Sequence, residues 1–428
     1  MMRLSMKLAC ATAIVIAMVP MTVAATINTA THACFQDNKV LPERSRPISM
    51  GEVTFRRITA VHELMAQEGG LPAALTAALE MEPRVRGNPY EHAIVAQTIG
   101  YIYVQMERYR EGIPYLKQAA DLDSMPDSGQ QQTMSLLANM YASVEDWTST
   151  IAWLDRWCIR AENPTADVLI LGAQARAQMG NHQDAIPFVR RAIEKATEPK
   201  ENWYQLLLAM HYELHQYREA AGVLEVMVGI WPTNQRYWEQ LAGLYMELQD
   251  DRKALATMAL AYRNGMTTEE DKIMALVRMY LFLQMPYPAA GVLDREMRAG
   301  RVTSSLEHLE LLGNAWAQAR ENTRAVDALG RAAELSEDGE LYVRRAQILV
   351  QMQLWADVIS SVDAAVAKGG LDKPGRAYIL QGMAAAELKR FEEAIRYFNN
   401  AAAYPETRSQ AREWSRYMQE ELAVNTSG

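Results

Sequence analysis

The chain has 428 residues, of which 49% are apolar and 22% charged, and a net charge of −9. That composition excludes a disordered chain, and an acidic balance without a basic stripe excludes nucleic acid as a partner. A chain this long predicts several compact domains unless it is a repeat array, in which each unit touches only its neighbours.

The first segment is set apart. Arg3 and Lys7 give a basic start, an apolar run covers Leu8 to Val19, and Pro20 and small residues lead to Val23-Ala24-Ala25. This order predicts a secretory signal peptide over residues 1–25 and hence export to the periplasm of a Gram-negative envelope. No later stretch approaches 18 uninterrupted apolar residues, so no transmembrane span is expected in the mature chain. Residues 26–50 hold Pro42 and Pro47 without a clear period and read as a leader or linker. Cys10 leaves with the signal. Cys34 and Cys158 remain, and the sequence leaves open whether they are one disulfide or two thiols. Thr31-His32-Ala33 before Cys34 lack the apolar character of a lipidation site, so no lipid is expected there.

From residue 51 a repeat takes over. The last unit reads Gly382, Ala394, Phe398, Ala401, and an earlier one Gly313, Trp316, Ala325, Leu329, Ala332. The slot of Ala394 runs back through Val358, Ala325, Ala290, Ala254, Ala220, Ala185, Thr150, Gly112 and Ala74. Its spacing stays close to a period of ~34 residues. A second helix that must approach the first closely needs a small side chain there. Three residues earlier an aromatic recurs at Tyr109, Trp147, Tyr217, Tyr287, Trp355 and Phe391. These slots resemble tetratricopeptide repeat proteins over residues 53–405. The resemblance implies an all-α, superhelical solenoid of about ten helical hairpins over residues 51–405. In the closing segment, 406–428, Trp414, Tyr417, Met418 and Leu422 share one helical stripe and predict a cap helix.

Catalytic signatures are missing from the sequence. It has no phosphate-cradling loop, no dinucleotide fingerprint after a strand and no G-x-S-x-G elbow. His211 and His215 are four apart, a spacing that can chelate zinc on one helical face. Tyr212 stands where a zincin carries Glu, no third ligand is near, and His211 takes a packing slot held by Tyr103 and Tyr245 elsewhere. No catalytic residue, metal or cofactor is expected. A metal-dependent enzyme is the lesser alternative, resting on this pair alone.

In a tetratricopeptide solenoid the first helix of each hairpin (helix A) lines the concave face. The position after its small slot gives Tyr101, Asn139, Gln174, Ala209, Gly243, Met279, Asn314, Gln347 and Met383, and one turn earlier lie Gln97, Ser135, Ile170, Gln205, Glu239, Ala275, Glu310, Val343 and Ile379. Amides donate to and accept from an extended backbone, so Gln97, Tyr101, Asn139, Gln174, Gln205 and Glu239 form the candidate partner-binding groove.

The text between residues 200 and 420 carries a narrower resemblance. It includes Arg236-Tyr237-Trp238-Glu239-Gln240-Leu241-Ala242-Gly243-Leu244-Tyr245 and Met285-Pro286-Tyr287-Pro288-Ala289-Ala290, then Leu309 to Trp316 and Leu335 to Tyr342. These stretches are similar to exported tetratricopeptide proteins encoded beside TonB, ExbB and ExbD. That similarity implies a periplasmic, non-enzymatic accessory of the energy-transduction complex serving outer-membrane uptake. The alternative is a scaffold for envelope assembly or polysaccharide export, with the same groove on another partner.

Overall fold

The structure, a computed structural model, describes residues 34–35, 49–161 and 163–427. The predicted signal peptide and most of the leader lie outside them. Two compact units divide the chain, Met1–Leu214 and His215–Gly428. Among the described residues there are 21 helices and no strand.

The first unit contains α1 (Glu52–Ala66), α2 (Leu71–Val85), α3 (Pro89–Gln105), α4 (Tyr109–Asp121), α5 (Asp127–Ser143), α6 (Trp147–Arg160), α7 (Ala166–Gln178), α8 (His182–Lys195) and α9 (Glu201–Glu213). The second contains α10 (Tyr217–Ile230), α11 (Gln235–Glu247), α12 (Asp251–Arg263), α13 (Glu270–Phe282), α14 (Pro286–Arg298), α15 (Leu306–Gln318), α16 (Asn322–Leu335), α17 (Glu340–Gln351), α18 (Trp355–Lys368), α19 (Pro374–Glu387), α20 (Phe391–Ala401) and α21 (Arg408–Ser427). In chain order these are ten A/B pairs and a closing helix, as the repeat predicts. Within each unit, each helix packs mainly on its sequence neighbours, the contact pattern of a solenoid.

The hairpin turns share one device. Between A and B helices a single residue turns left-handed: Gly69, Glu107, Glu145, Gly180, His215, Gln249, Gln284, Arg320, Gln353 and Lys389. The next N–H then reaches back to the A helix, as Arg108 to Tyr103 O (2.9 Å), Asp250 to Tyr245 O (2.8 Å) and Arg390 to Ala385 O (2.9 Å). This geometry satisfies carbonyls that the helix end leaves open.

Five residues after each left-handed position lies the small slot, and it is buried in every hairpin. A Cβ on Gly112 would stand 2.8 Å from Tyr103 Cβ and 3.2 Å from Gly100 O, so the two helices touch almost backbone to backbone. In the seventh hairpin the turn at Gln284 puts Ala289, not Ala290, in the slot, with Leu293 following as the core residue. Here the aromatic spacing points one residue too far along, because Pro286 takes the first helical position and moves the aromatic to Tyr287.

Polar ties one period apart join successive hairpins. Ser124 Oγ donates to Pro89 O (2.7 Å), Arg160 to Asp123 Oδ2 (2.9 Å), Thr303 N to Glu270 Oε1 (3.1 Å) and Asp372 N to Glu340 Oε1 (2.7 Å). On the closing helix the buried stripe is Ala411, Ser415 and Met418, whereas Trp414 and Tyr417 are exposed. Trp414 instead stacks on Phe398 with ring centroids 6.0 Å apart.

Cys34 and Cys158 form a disulfide, and both are buried. Phe35 beside it meets Phe188 of α8 edge to face at 4.8 Å. Cys34 and Phe35 are therefore held against α6 and α8 of the first unit.

Candidate partner-binding site

The A helices present the predicted face unevenly. Tyr101, Asn139, Gln174 and Gln205 are exposed on α3, α5, α7 and α9 of the first unit. Burying the neighbouring slots at Gly100, Ala138 and Ala173 turns these positions outward. Gln97 is different. Its amide donates to Thr133 Oγ1 (2.7 Å), so it ties α3 to α5 instead of standing open. Asn139 donates to Ser135 O of its own helix (2.8 Å), which leaves its carbonyl oxygen as the outward group. Gln97 and Tyr101 share one recess of about 160 Å³ with His62, Thr98, Gln132 and Leu136. Asn139, Gln174 and Gln205 lie on successive A helices and do not enter that recess.

Glu239 belongs to the second unit. It accepts from Lys272 Nζ and from Gln235 Nε2 (2.7 Å). The Lys272 hydrogen bond holds its carboxyl below the usual range. Glu239 stands on the rim of a cleft of about 240 Å³ between α11, α12 and α13. Trp238, Ala242, Met246, Met258 and Leu276 wall the cleft, and Thr267 and Lys272 complete its rim. Packing between α12 and α13 is the thinnest of the junctions between hairpins within this unit. Of the cleft's lining, the sequence pattern places Glu239 and Ala275 on the groove face and no other residue. The available signals were the two methionines and the long connection after α12.

With the register set by Ala289, the outward position of α13 is Arg278, which is exposed. Met279 is half-buried against the core, whereas Ala275, one turn earlier, is exposed and lines the Trp238 cleft.

The histidine pair does not share a helical face. His211 is buried in α9, with Nε2 3.4 Å from an Arg190 guanidinium nitrogen. His215 lies beyond the end of α9 in the left-handed turn, and its Nδ1 is 3.1 Å from the Tyr217 hydroxyl. The hairpin turn claims the second histidine, which the spacing alone did not reveal. Among the described residues no cluster of three His, Cys, Asp or Glu residues has metal-site geometry, and no helix is long and apolar enough to cross a membrane.

Two segments match family models described as tetratricopeptide repeats, residues 95–124 and 343–408. No curated protein sequence matches the chain significantly. Among solved structures the chain is similar to YrrB, a TPR protein with an unusual peptide-binding site. The two are 16% identical with a TM-score of 0.34, over 42% of this chain and 89% of that one. It is also similar to a putative kinesin light chain with TPR-like repeats from Podosopora anserina, at 14% identity and TM-score 0.35, over 44% of this chain and all of that one. The match to the Cut9–Hcn1 assembly of the APC/C is longer, with 86% of this chain and 96% of that one covered, at 11% identity and TM-score 0.29.

Proposed function

We propose that this repeat array is a non-enzymatic scaffold that holds segments of partner proteins on its A-helix face, in an exported compartment. The observation that carries the reading is the outward row Tyr101, Asn139, Gln174 and Gln205 on four successive A helices. Polar side chains exposed on successive rigid helices, with Gln205 one turn earlier on its helix than the other three, suit the backbone of an extended chain. The Cys34–Cys158 disulfide supports the exported part, because such bonds persist in oxidising compartments. It also engages the sulfur that a lipid thioether at Cys34 would need.

The finer reading is an accessory of the TonB–ExbB–ExbD machinery. It rests on the resemblance carried by residues 200–420. The test is a photo-cross-linking residue placed at Gln174 in the producing cell, paired with an Asn139→Ala, Gln174→Ala, Gln205→Ala triple variant. The expected result is cross-linking to a component of that machinery, with recovery reduced in the triple variant at an unchanged melting temperature. Cross-links only to envelope-assembly proteins would replace the partner. Undiminished recovery by the triple variant would move the site off this face.

A further inference from the structure

The cleft at Trp238 is walled mainly by apolar side chains, and its size restricts what it takes. At about 240 Å³ it falls below the ~300–1,000 Å³ typical of small-molecule sites and fits a single large side chain. Met246 and Met258 line it, and methionine adapts to the shape of what it receives. Met246 is 47% exposed although it is part of the wall, so apolar surface is left uncovered at the mouth.

Two further features define what lies across that mouth. Gly243, exposed on the same helix one residue beyond Ala242, has nothing within 4 Å of where a Cβ would stand. A foreign backbone can approach α11 closely there. At the rim Glu239 shares the ammonium of Lys272 with Glu269, which lies just before α13 outside the lining and stands 3.5 Å from Lys272. Two carboxylates on one cation leave a surplus of negative charge beside the apolar cleft. Both carboxyls are held below the usual range, Glu239 by the Lys272 hydrogen bond and Glu269 by its own backbone N–H, so both are ionised at neutral pH.

We infer that this cleft is the anchor site for an extended partner segment carrying one large aliphatic residue flanked by basic residues, the aliphatic side chain entering between Trp238, Met246 and Leu276. The backbone passes over Gly243, and a basic neighbour meets Glu239 and Glu269. The inference rests on the scaffold reading and names its ligand chemistry in the second unit.

The test uses the full mature chain and a short fluorescein-labelled peptide with one Leu between two Lys in a Gly/Ser background. Its Leu→Ser and Lys→Glu counterparts are the controls. Fluorescence anisotropy should show binding of the first peptide and a loss of about tenfold or more for each control, the scale of a buried anchor. Ala275→Trp, at an exposed position lining the cleft, should fill it and give the same loss with an unchanged melting temperature. No binding by the parent chain, or equal binding by parent and Ala275→Trp, overturns the cleft as anchor. Peptide binding lost only in the Asn139, Gln174, Gln205 triple variant overturns it too, while leaving the scaffold reading intact. Binding that tracks Lys alone and ignores Leu→Ser reduces the site to surface charge and also overturns the inference.

Discussion

At the scale of single residues, the array depends on positions where two helices leave no room. Ala254 and Ala325 are fully buried in the small slot. Ala254→Trp and Ala325→Trp should each destabilise the chain toward the upper end of the ~1–3 kcal/mol typical of overpacking, read from urea midpoints. Gly382 sets two effects against each other. Alanine gains up to ~1 kcal/mol in helix propensity, but its Cβ would stand 2.5 Å from the ring of the fully buried Phe398. The ring has no free space to swing into, so Gly382→Ala should be net destabilising. Glu296 is a different kind of exception. Seven residues after Ala289, it occupies the fully buried place that Ala119, Ala192, Ala332 and Ala401 hold in other hairpins. Burial alone would push its carboxyl up, but hydrogen bonds from Arg301 and Tyr262 outweigh this and hold it below the usual range. Burial, then the hydrogen bond to Glu296, pushes Tyr262 up to about 12. A depressed carboxyl stabilises the fold above its unfolded pKa of ~4.3, and that contribution is lost as pH falls through the lower folded value. Glu296→Gln should therefore lower the urea midpoint at pH 7, and the gap to the parent should narrow below about pH 4.

At the scale of helices and turns, legibility follows side-chain size. The buried small slots were readable because close helix contact admits few residue types. The turns were not, because Glu107, Gln249, Arg320 and Lys389 adopt a left-handed backbone that glycine usually supplies. That omission cost the register of α14, where adjacent alanines at 289 and 290 offered no way to choose. The candidate face was legible as an outward row but not in its detail. Whether Gln97 faces out or binds Thr133 depends on the neighbouring hairpin, and the Trp238 cleft arises from thin packing between two helices that no single-helix pattern records. The left-handed turns also make a prediction. Gly180→Ala imposes a strain of ~1–2 kcal/mol, whereas Lys389→Gly relieves it at the expense of a more flexible unfolded chain. The first should lower the denaturation midpoint and the second leave it unchanged or slightly raised. The disulfide works over a longer span, closing 124 residues of separation. Reduction, or Cys158→Ser, should destabilise by ~2–4 kcal/mol, with reductant having no further effect on the variant.

At the scale of the whole molecule, a solenoid has two ends, and each must stop the stacking without exposing its core. The closing helix α21 performs this at the C-terminus of the second unit. Thr407 Oγ1 donates to Ala401 O (2.6 Å), Ser415 Oγ to Asn399 Oδ1 (2.9 Å), and Met418 buries its side chain in the last core cluster with Phe398 and Ala401. Without α21, Phe398 would lose the stacked Trp414 and face water on the side where another hairpin would normally pack. Because each hairpin is stabilised mainly by its neighbours, the loss should be greatest in α19 and α20 and fade toward α11. Deleting residues 406–428 should therefore leave most of the helical signal at low temperature but make α19 and α20 the first protease-sensitive segment. It should also promote self-association through the exposed apolar end. Limited proteolysis with mass mapping and size-exclusion chromatography at several concentrations read the two effects separately. Equal protease resistance of α19–α20 in the truncated and parent chains would mean that the last hairpin holds itself together, and that α21 has some role other than a cap.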